Sequence, residues 1–565
     1  MNFAENLLAK DGDDPALIFW GEDKVEKTVS WTQLQELVSR LAASFKYLGL
    51  GVGDRVAAVM PNMPETIAAM LAATSIGAVW SSCSPDFGEQ GIIDRFGQIS
   101  PKFLIACDGY YYNGKSFDIV DKIKTVADQI TSLEKVVIIP YGGNLESAVA
   151  VIDKAVSLDD LIKDQEPQAI TFEQLPFDHP LYILFSSGTT GVPKCIIHSA
   201  GGMLLQHKKE HQFHVNINAG DRLFYFTTCT WMMWNWLVTG LASGATLMLY
   251  DGSPFYPGPN VLFDFADKFK MTVFGTSAKY IDAVNKSGLR PRNSHSLTSV
   301  RTILSTGSPL APESFEFVYT SIKSDVCLSS ISGGTDIAAC FICGNPAAAV
   351  YRGEIQAKAL GMAVEIWDDT GNPLESDKGE LVCTKPFPSM PIGFWGDEGN
   401  EKYHNAYFAK YDNIWWQGDY AQWTPNGGII IHGRSDATLN PGGVRIGTAE
   451  IYAQVEKMPE FVDCLAIGQD WDNDTRVILF VVLREGEVLD DKLVKKLKSQ
   501  IRTGASPRHV PAKIIAVDDI PRTKSGKITE LAVRDVVHGR EVKNKEALAN
   551  PQALELFKDL EALKT

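Results

Sequence analysis

A run of small polar residues that ends in a lysine could bind a chain of phosphates. The apolar residues Leu184 and Phe185 end a predicted buried strand, and a loop of hydroxyls and glycines follows them. Glycines let backbone N–H groups approach an anion closely, and hydroxyls add further donors. The Gly-Lys-Ser/Thr that opens the helix of a P-loop is missing. The alternative is a turn that is merely rich in Ser and Thr, but such a turn does not explain the whole run of eleven residues from Leu184 to Lys194. We therefore predict a triphosphate-binding loop that comprises Ser186, Ser187, Gly188, Thr189, Thr190, Gly191 and Lys194.

Three charged residues farther along the chain could bind the rest of a nucleotide. A carboxylate such as Asp419 can accept hydrogen bonds from both hydroxyls of a ribose. Arg434 offers a planar fork of donors that suits ribose or phosphate oxygens. Lys527 lies in a basic loop, Pro-Arg-Thr-Lys-Ser-Gly-Lys, which ends at that lysine. Taken singly, each residue has an ordinary alternative: a solvated carboxylate, a surface salt bridge and an idle exposed lysine.

In these motifs and in their order, nearly the whole chain resembles the adenylate-forming superfamily of acyl-CoA synthetases, luciferases and peptide-synthetase adenylation domains. The resemblance implies ATP and Mg²⁺ as cofactors and Lys527 as the catalytic lysine. It also implies that Thr335 and Asp336 act at the reacting phosphate, with Asp336 beside the metal. Asp336 stands where the superfamily more often has glutamate. The implied nucleotide site further includes Gly307, Ser308 and Pro309 on the adenine side, and Gly333, Gly334, Asp419, Arg434 and Arg445.

Members of this superfamily work in two half-reactions, which imply a second binding site. A carboxylate first joins the α-phosphate of ATP, and a thiol then attacks the acyl-adenylate after the C-terminal domain has rotated about a hinge, here Asp436. By resemblance, Gly442, Gly443 and Val444 line the tunnel for the pantetheine of CoA, and Arg445 meets phosphate. Residues 491–540 hold twelve Lys/Arg and five Asp/Glu. We expect Arg502 and Arg508 of this basic segment to hold the phosphates of CoA; a solvated helix face is the alternative.

Several runs resemble the branch of the superfamily that activates acetoacetate. Relatives that use acetate have a tryptophan where this chain has Gly333, so we expect this glycine to open room for a longer acyl group. Met232 and Met233 would give an adaptable apolar wall, and Trp231 is either a pocket residue or a core residue. The residues identify no group that recognises a keto oxygen, so acetoacetate rests on resemblance. The runs are Ser84-Pro85-Asp86-Phe87-Gly88, Thr230-Trp231-Met232-Met233-Trp234-Asn235, residues 332–336 and residues 440–445.

Three alternatives to an acetoacetate–CoA ligase remain at this point. The first is a ligase for another short acid, such as butyrate or a branched acid. The second is a non-catalytic regulatory protein on the same fold, against which Lys194, Asp419, Arg434 and Lys527 speak. The third is a luciferase-like or carrier-loading activity, for which no carrier domain is evident.

Composition places the chain among ordinary globular proteins and limits its partners. It has 565 residues, 45% of them apolar, and a net charge of −16, which argues against binding to nucleic acid or to an anionic membrane.

The charge-free stretch from residue 223 to 250 contains too many polar residues and glycines for a membrane span, so we expect a buried strand–helix–strand run. The nine cysteines are scattered, and Cys340 and Cys343 alone are weak support for zinc. The start shows no signal peptide, which favours the cytosol. Oligomeric state is not readable.

The order of predicted elements indicates two domains. Short strands alternate with helices up to about residue 430, which is typical of layered α/β subdomains with mostly parallel strands, and residues 352–394 read as a small β subdomain. After Asp436 the pattern changes to a small, mobile α+β domain. We therefore predict a large AMP-binding domain over 1–435 and a C-terminal lid domain over 436–565. Residues 2–8 resemble an internal segment of the branch, so we expect that an N-terminal region is missing.

Overall fold

The predicted alternation of strands and helices is present in the large N-terminal part of the chain. The computed structural model describes residues 1–185, 193–437, 439, 441, 446–472, 474–505, 507–524, 526–542 and 545–565, without the side chains of Asp474 and Arg508. The helices are α1 (Phe3–Leu7), α2 (Trp31–Tyr47), α3 (Pro64–Ser75), α4 (Glu89–Ile99), α5 (Val120–Gln129), α6 (Leu145–Val151), α7 (Leu158–Ile162), α8 (Ala200–Lys209), α9 (Met232–Val238), α10 (Val261–Lys268), α11 (Ala278–Lys286), α12 (Pro312–Phe317), α13 (Glu401–Tyr407), α14 (Thr448–Val455), α15 (Asp491–Gly504) and α16 (Glu530–Val537).

The strands fall into two large sheets and several small ones. They are β1 (Pro15–Gly21), β2 (Val25–Ser30), β3 (Arg55–Val59), β4 (Val79–Cys83), β5 (Phe103–Cys107), β6 (Gly109–Tyr112), β7 (Lys115–Asp118), β8 (Lys135–Ile139), β9 (Ala155–Ser157), β10 (Pro180–Phe185), β11 (Cys195–Ser199), β12 (Arg222–Tyr225), β13 (Thr246–Asp251), β14 (Val273–Ser277), β15 (Thr302–Thr306), β16 (Cys327–Ser330), β17 (Ser332–Gly334), β18 (Ala339–Cys343), β19 (Ala357–Lys358), β20 (Val364–Trp367), β21 (Gly379–Cys383), β22 (Gly393–Phe394), β23 (Trp415–Trp423), β24 (Ile429–Arg434), β25 (Phe461–Trp471), β26 (Asp474–Leu483) and β27 (Lys513–Ala516).

Both large sheets are mainly parallel and are buried between helices. One has the order β22-β11-β10-β4-β3-β5-β8-β9, and the other has the order β16-β15-β14-β12-β13-β1-β2. Strands β4 and β5 are buried at every position, as expected for parallel strands that are covered on both faces. The carboxyl ends of such strands meet at one edge of a sheet, where α/β proteins bind their ligands. The predicted phosphate loop directly follows β10, and Gly307 directly follows β15.

Local sequence signals explain where the helices begin. The Ser30 hydroxyl accepts a hydrogen bond from the Gln33 N–H at 3.2 Å, and the Gln33 side chain accepts one from the Ser30 N–H at 2.9 Å. The spacing of Ser30 and Gln33 in the sequence predicts such a capping box, and the structure confirms it at the start of α2. The charge-free stretch folds as β12, α9 and β13, which confirms the predicted strand–helix–strand run. Among the described residues, no helix is both long and apolar enough to cross a membrane.

A small antiparallel region follows the second large sheet. Strands β17 and β18 form a hairpin, with β19 on its outer side; we call residues 332–344 the Thr335 hairpin. The sheet β20-β21-β23-β24 lies beyond it. The predicted β subdomain at residues 352–394 is therefore real, but its sheet extends to Arg434 because β23 and β24 complete it.

The C-terminal part has its own sheet and its own apolar clusters. The apolar runs at residues 464–468 and 476–483 predict a pair of strands. The structure confirms them as the antiparallel ribbon β25–β26, and β27 runs parallel to β26. One cluster packs α14 and α15 against this sheet. A second cluster packs α16 and the following 3₁₀ turns against it. The exact boundary at residues 435 and 436 stays a prediction.

One buried carboxylate, that of Glu22, joins three separate segments of the N-terminal part. Its oxygens accept hydrogen bonds from the backbone N–H groups of Asn113 at 2.6 Å, Gly114 at 2.8 Å and Ser253 at 2.8 Å. Glu22 is 1% exposed. A buried N–H that loses its acceptor keeps its desolvation cost.

We expect Glu22→Ala to lower the free energy of unfolding by about 2–4 kcal/mol, because one buried and two part-buried hydrogen bonds lose their acceptor together. Glu26→Ala is the matched control, since Glu26 pairs with Lys268 at the surface and such pairs contribute about 0–1 kcal/mol. Urea unfolding and thermal melting of both variants measure the difference. Equal effects of the two substitutions would show that Glu22 does not join these segments.

Candidate active site

Lys194, the last residue of the predicted phosphate loop, points toward the Thr335 hairpin. Its ammonium lies 5.6 Å from the ring centroid of Phe394 and 5.5 Å from that of Tyr407. Its charge also helps to lower the pKa of Asp336. The other predicted members of the loop, residues 186–191, lie outside the described residues. The described end of the loop therefore brings a positive charge to the predicted metal-associated carboxylate.

A tyrosine that carried no sequence motif holds the Asp336 carboxylate. The hydroxyl of Tyr407 donates a hydrogen bond to Oδ1 of Asp336 at 2.6 Å, and its ring stacks on Trp415 with centroids 3.9 Å apart. Burial acts to raise the pKa of Asp336, but Lys194, Tyr407 and Arg434 together bring that pKa below its ordinary value. Asp336 is therefore an ionised, oriented carboxylate, as a metal ligand must be.

Gly333 and Gly334 of the Thr335 hairpin lie close to other groups. An ideal Cβ on Gly334 would lie 3.0 Å from the Gln417 side-chain nitrogen and 3.1 Å from Oδ2 of Asp336. An ideal Cβ on Gly333 would lie only 1.8 Å from the carbonyl oxygen of Ala339 on the facing strand. The missing side chain of Gly333 therefore makes room for β18. The expectation that Gly333 also opens the acyl pocket stays a prediction.

Asp419 and Arg434, which were predicted separately, form a cross-strand pair. They are register partners on β23 and β24, and Nη1 of Arg434 donates to Oδ1 of Asp419 at 3.2 Å and to the Gln417 carbonyl at 3.0 Å. Burial raises the pKa of Asp419 although Arg434 and Lys527 act against this rise. Gly418 has φ +76°, and an ideal Cβ there would lie 2.8 Å from Nη2 of Arg434. The glycine thus lets the guanidinium lie flat over the strand beside the carboxylate.

A second buried carboxylate, Glu380, supports the residue that precedes the predicted hinge. Glu380 is fully buried and accepts hydrogen bonds from the hydroxyl of Ser435, from Lys410 at 2.7 Å and from the Trp416 indole at 2.9 Å. Burial opposes its charge, but these donors lower its pKa. Next along the chain, Asp436 lies 3.6 Å from Nε of Arg434. No sequence motif pointed to Glu380, because its partners come from distant segments.

The C-terminal part places Lys527 beside this cluster of charges. Burial and the charge of Arg434 lower the pKa of Lys527, while Asp336 and Asp419 act in the opposite direction. The lysine loop is closed by two hydrogen bonds, from Thr523 N–H to the Lys527 carbonyl at 2.8 Å and from Lys527 N–H to the Thr523 hydroxyl at 3.0 Å. The structure therefore brings together Lys194, Asp336, Asp419, Arg434 and Lys527 from both parts of the chain.

Polar contacts fix this position of the C-terminal part. Asp463 receives two hydrogen bonds from one guanidinium nitrogen of Arg522, at 2.6 and 2.8 Å, and lies 3.2 Å from Lys279 of α11. The ammonium of Lys524 donates to the Asp86 carbonyl at 3.0 Å and lies 3.6 Å from the ring centroid of Phe87. Asp86 and Phe87 belong to one of the runs that resembled the acetoacetate branch. Their contact with Lys524 was not predicted.

The predicted acyl-pocket residues differ in their surroundings. Trp231 is half-buried, and its ring lies 3.8 Å from an ideal Cβ on Gly307, the residue after β15. Trp234 is fully buried, and its indole donates to Asn62 at 3.0 Å. Met232 and Met233 are 7% and 2% exposed within the apolar core. Trp231 thus lies beside the predicted adenine-side loop, and its pocket role stays a prediction.

The remaining predicted residues either lie on the surface or are not among the residues that the structure describes. Ser308 and Pro309 are exposed after β15, and Arg502 is exposed on the last turn of α15. Gly442, Gly443, Val444 and Arg445 lie outside the described residues, and so does the side chain of Arg508. Within the described ranges, no three His, Cys, Asp or Glu side chains are grouped to hold a metal ion. A Mg²⁺ that takes most of its ligands from phosphates and water needs only one or two carboxylates, so Asp336 fits such an ion.

The fold and the charge cluster define a class of protein. Three cations and two carboxylates meet where the end of the phosphate loop, the Thr335 hairpin and the β23–β24 pair come together, and one of the cations belongs to a separate C-terminal unit. Such a set can hold a nucleotide triphosphate and stabilise charge that develops on its phosphates. The class is that of enzymes which activate a substrate with a nucleotide.

Comparison with known proteins identifies the family. The family described as "AMP-binding enzyme" matches residues 4–392, and "AMP-binding enzyme C-terminal domain" matches residues 450–527. The chain is 63% identical to the acetoacetyl-coenzyme A synthetase of Rhizobium meliloti (strain 1021) over 100% of its own length and 87% of that protein, and 48% identical to the acetoacetyl-CoA synthetase of Gallus gallus over 100% and 86%. The solved acetoacetyl-CoA synthetase from Streptomyces lividans superposes with a TM-score of 0.94 at 39% identity, covering 100% of this chain and 87% of that one. The chain therefore belongs to the AMP-binding enzymes and, within them, to the acetoacetyl-CoA synthetase family.

The close approach at Gly333 predicts the effect of a single methyl group. We expect Gly333→Ala to destabilise the protein by about 1–3 kcal/mol, because the added atom forces β17 away from β18. Activity should fall equally with carboxylic acids of different length. Gly51→Ala is the control, since an ideal Cβ there has no neighbour within 4 Å. Thermal melting and relative rates over a series of acids measure both effects; a stable Gly333→Ala protein that prefers shorter acids would support the pocket interpretation.

Proposed function

We propose that this protein is an acetoacetate–CoA ligase, an AMP-forming acid–thiol ligase. It activates acetoacetate with ATP as an acyl-adenylate, and transfers the acyl group to CoA to give acetoacetyl-CoA, AMP and pyrophosphate. The observation that carries the proposal is the position of Lys527, which lies within electrostatic reach of Asp336, Asp419 and Arg434. The three relatives named above are acetoacetyl-CoA synthetases, which supports acetoacetate as the acid.

The first half-reaction depends on positive charge that is held in place before the reaction begins. Negative charge builds up on the α-phosphate oxygens and on the leaving pyrophosphate when the carboxylate attacks. Lys527 bridges the attacking carboxylate and the α-phosphate, Lys194 holds the outer phosphates, and Thr335 adds a hydroxyl donor. Fixed donors of this kind cost little reorganisation at the moment of reaction. Asp419 accepts the ribose hydroxyls, beside the guanidinium that fixes its orientation.

Mg²⁺, when bound, neutralises part of the charge on the phosphates. Asp336 is the residue that would hold it, either directly or through water. The hydrogen bond from Tyr407 and the charges of Lys194 and Arg434 keep this carboxylate ionised in a buried place. The carboxylate can therefore bind a cation without first losing a proton.

The second half-reaction requires the C-terminal lid to move. With Lys527 in the cluster, the lysine loop occupies the side from which a thiol would enter, so the lid rotates about Asp436 after adenylation. The glycines Gly442 and Gly443 and Val444 then line the path of the pantetheine, while Arg445 and Arg502 meet phosphates of CoA. The contacts that must break include Asp463 with Lys279 and Lys524 with Asp86 and Phe87.

We propose that the protein acts in the cytosol, in the use of a ketone body for fatty acid and lipid metabolism. The acidic total charge of −16 supports small-molecule substrates rather than nucleic acid as partners. The activated product, a thioester, is the form in which a downstream carbon–carbon bond-forming reaction takes up an acyl group.

A panel of acids tests the substrate. We expect CoA-dependent AMP formation to be fastest in kcat/KM with acetoacetate. Butyrate, of the same chain length without the keto oxygen, should react about tenfold or more slowly, because a site that hydrogen-bonds an oxygen discriminates strongly against its absence. Acetate and isobutyrate complete the panel. Equal kcat/KM for acetoacetate and butyrate would make this a general short-chain ligase.

Lys527 should act in one half-reaction only. We expect Lys527→Ala to slow adenylation about a hundredfold or more, because the loss of one preorganised donor costs about 2.7–4 kcal/mol. Thioester formation from a preformed acyl-adenylate should change much less. Acetoacetate-dependent pyrophosphate exchange measures the first step, and CoA thioester release from supplied acyl-adenylate measures the second.

Lys495→Ala, on the exposed side of α15 in the same domain, is the control and should leave both steps unchanged. Equal losses in both half-reactions of Lys527→Ala would contradict the assigned role.

A further inference from the structure

Four buried polar side chains lie in a row behind the Thr335 hairpin. His198 lies on β11, His207 on α8, and Glu210 and His214 in the π-helical turn Glu210–His214 that continues α8. All four are at most 5% exposed. None was predicted from the sequence, and none takes part in the chemistry described above. We call these four residues the buried polar row.

Each member of the buried polar row makes one hydrogen bond to the backbone of the Thr335 hairpin. Nε2 of His198 donates to the Thr335 carbonyl at 3.1 Å, and Nε2 of His207 donates to the Ala338 carbonyl at 2.6 Å. These two bonds act on the catalytic end of the hairpin. Farther along, Oε1 of Glu210 accepts from the Cys340 N–H at 3.0 Å, and Nδ1 of His214 donates to the Gly344 carbonyl at 2.7 Å. The row and the hairpin thus pair in the same order along the chain.

The π-helical turn explains how one helix reaches along the hairpin. A π turn inserts an extra residue into a helix and turns the side chains that follow it, and such turns are frequent at functional sites. Here it places Glu210 so that its carboxylate accepts from Cys340, from the Gln206 amide at 2.9 Å and from the Trp236 indole at 2.9 Å. A buried carboxylate with three donors is rigidly oriented.

The hydrogen-bond partners also fix the tautomers of the histidines. A carbonyl oxygen only accepts, so His198 and His207 carry their proton on Nε2. His214 carries its proton on Nδ1, because its Nε2 accepts from the Leu360 N–H at 2.9 Å. Burial keeps the three rings uncharged, and it lowers the pKa of His198 to about 3. The bonds to the hairpin are therefore neutral and persist at physiological pH.

We propose that His198, His207, Glu210 and His214 are positioning residues, which hold the backbone of the Thr335 hairpin so that Thr335 and Asp336 face the phosphates of ATP. Thr335 lies between Gly334 and Asp336, and Gly334 has no side chain that could fix the local backbone. Tyr407 orients the side chain of Asp336, while the buried polar row holds the main chain of the hairpin. The proposal rests on the proposed function, since it names the residues that prepare that site.

His211 provides a matched control within the same turn. It is fully buried like the members of the row, and burial lowers its pKa as well. Its ring packs edge-on against Trp236 at 4.2 Å, and its nitrogens make no hydrogen bond to the described residues of the hairpin. Replacing it with phenylalanine removes a buried imidazole without removing a bond to Thr335.

The test compares His198→Phe, His198→Gln and His211→Phe in the full chain. We expect His198→Phe to weaken binding of ATP in the presence of Mg²⁺ by about tenfold, because one buried hydrogen bond of the hairpin is lost. KM for ATP should rise and kcat should fall. His198→Gln places an amide nitrogen where Nε2 was and should recover most of both. His211→Phe should bind ATP like the wild type, even where its melting temperature falls as much as that of His198→Phe.

Calorimetric binding of ATP with Mg²⁺, steady-state rates with acetoacetate and thermal melting provide the readouts. Equal weakening of ATP binding by His198→Phe and His211→Phe would overturn the proposal, as would a His198→Gln protein no better than His198→Phe. If His198→Phe does not fold, His198→Asn, too short to reach Thr335, takes its place with the same expectation. A wild-type protein that binds ATP but does not convert acetoacetate would contradict the proposed function, and the binding comparison would still decide the positioning role.

Discussion

The guanidinium of Arg434 is the charge on which the geometry of the site depends. It binds Asp419 and the Gln417 carbonyl on the neighbouring strand, and it lies 3.6 Å from Asp436 of the predicted hinge. Burial acts against its charge, but the surrounding carboxylates raise its pKa above the ordinary value. One residue thus ends strand β24, orients the carboxylate that we assign to the ribose, and acts through its charge on Lys527. A lysine at this position would lack the planar fork that makes these contacts together.

Around this pair, the site is built from two kinds of support. The carboxylates that we assign to the nucleotide, Asp336 and Asp419, are each held by a donor in the same region, Tyr407 and Arg434. Glu210 and Glu380, which we do not assign to the nucleotide, hold backbone or hinge residues through several donors. Buried ions are costly unless they are fully hydrogen-bonded. Their presence at four places in and behind the site indicates that geometry is maintained there at the expense of stability.

The sequence predicted what is local and missed what is distant in the chain. The capping box of α2, the alternating elements, the strand–helix–strand run and the β25–β26 ribbon follow from patterns of a few residues, and the structure contains them. Asp419 and Arg434 were predicted as single residues, but not as a pair, because register across β23 and β24 cannot be read from spacing. Tyr407, Glu380, Lys524 and the buried polar row had no motif. The contact between Glu210 and Cys340 spans 130 residues. The close approach of the Ala339 carbonyl to Gly333 depends on strand pairing and was not predicted from the sequence either.

The polar contacts between the C-terminal lid and the large domain are weak, and this affects which orientation of the lid is populated. The Asp463–Lys279 pair and the Lys524 contacts join partly exposed groups, and such contacts are worth about 1 kcal/mol or less each, close to thermal energy. The proposed rotation of the lid therefore needs no external source of work to break contacts of this strength. The chemical state of the ligand, rather than the strength of the domain contact, can then decide which orientation is populated.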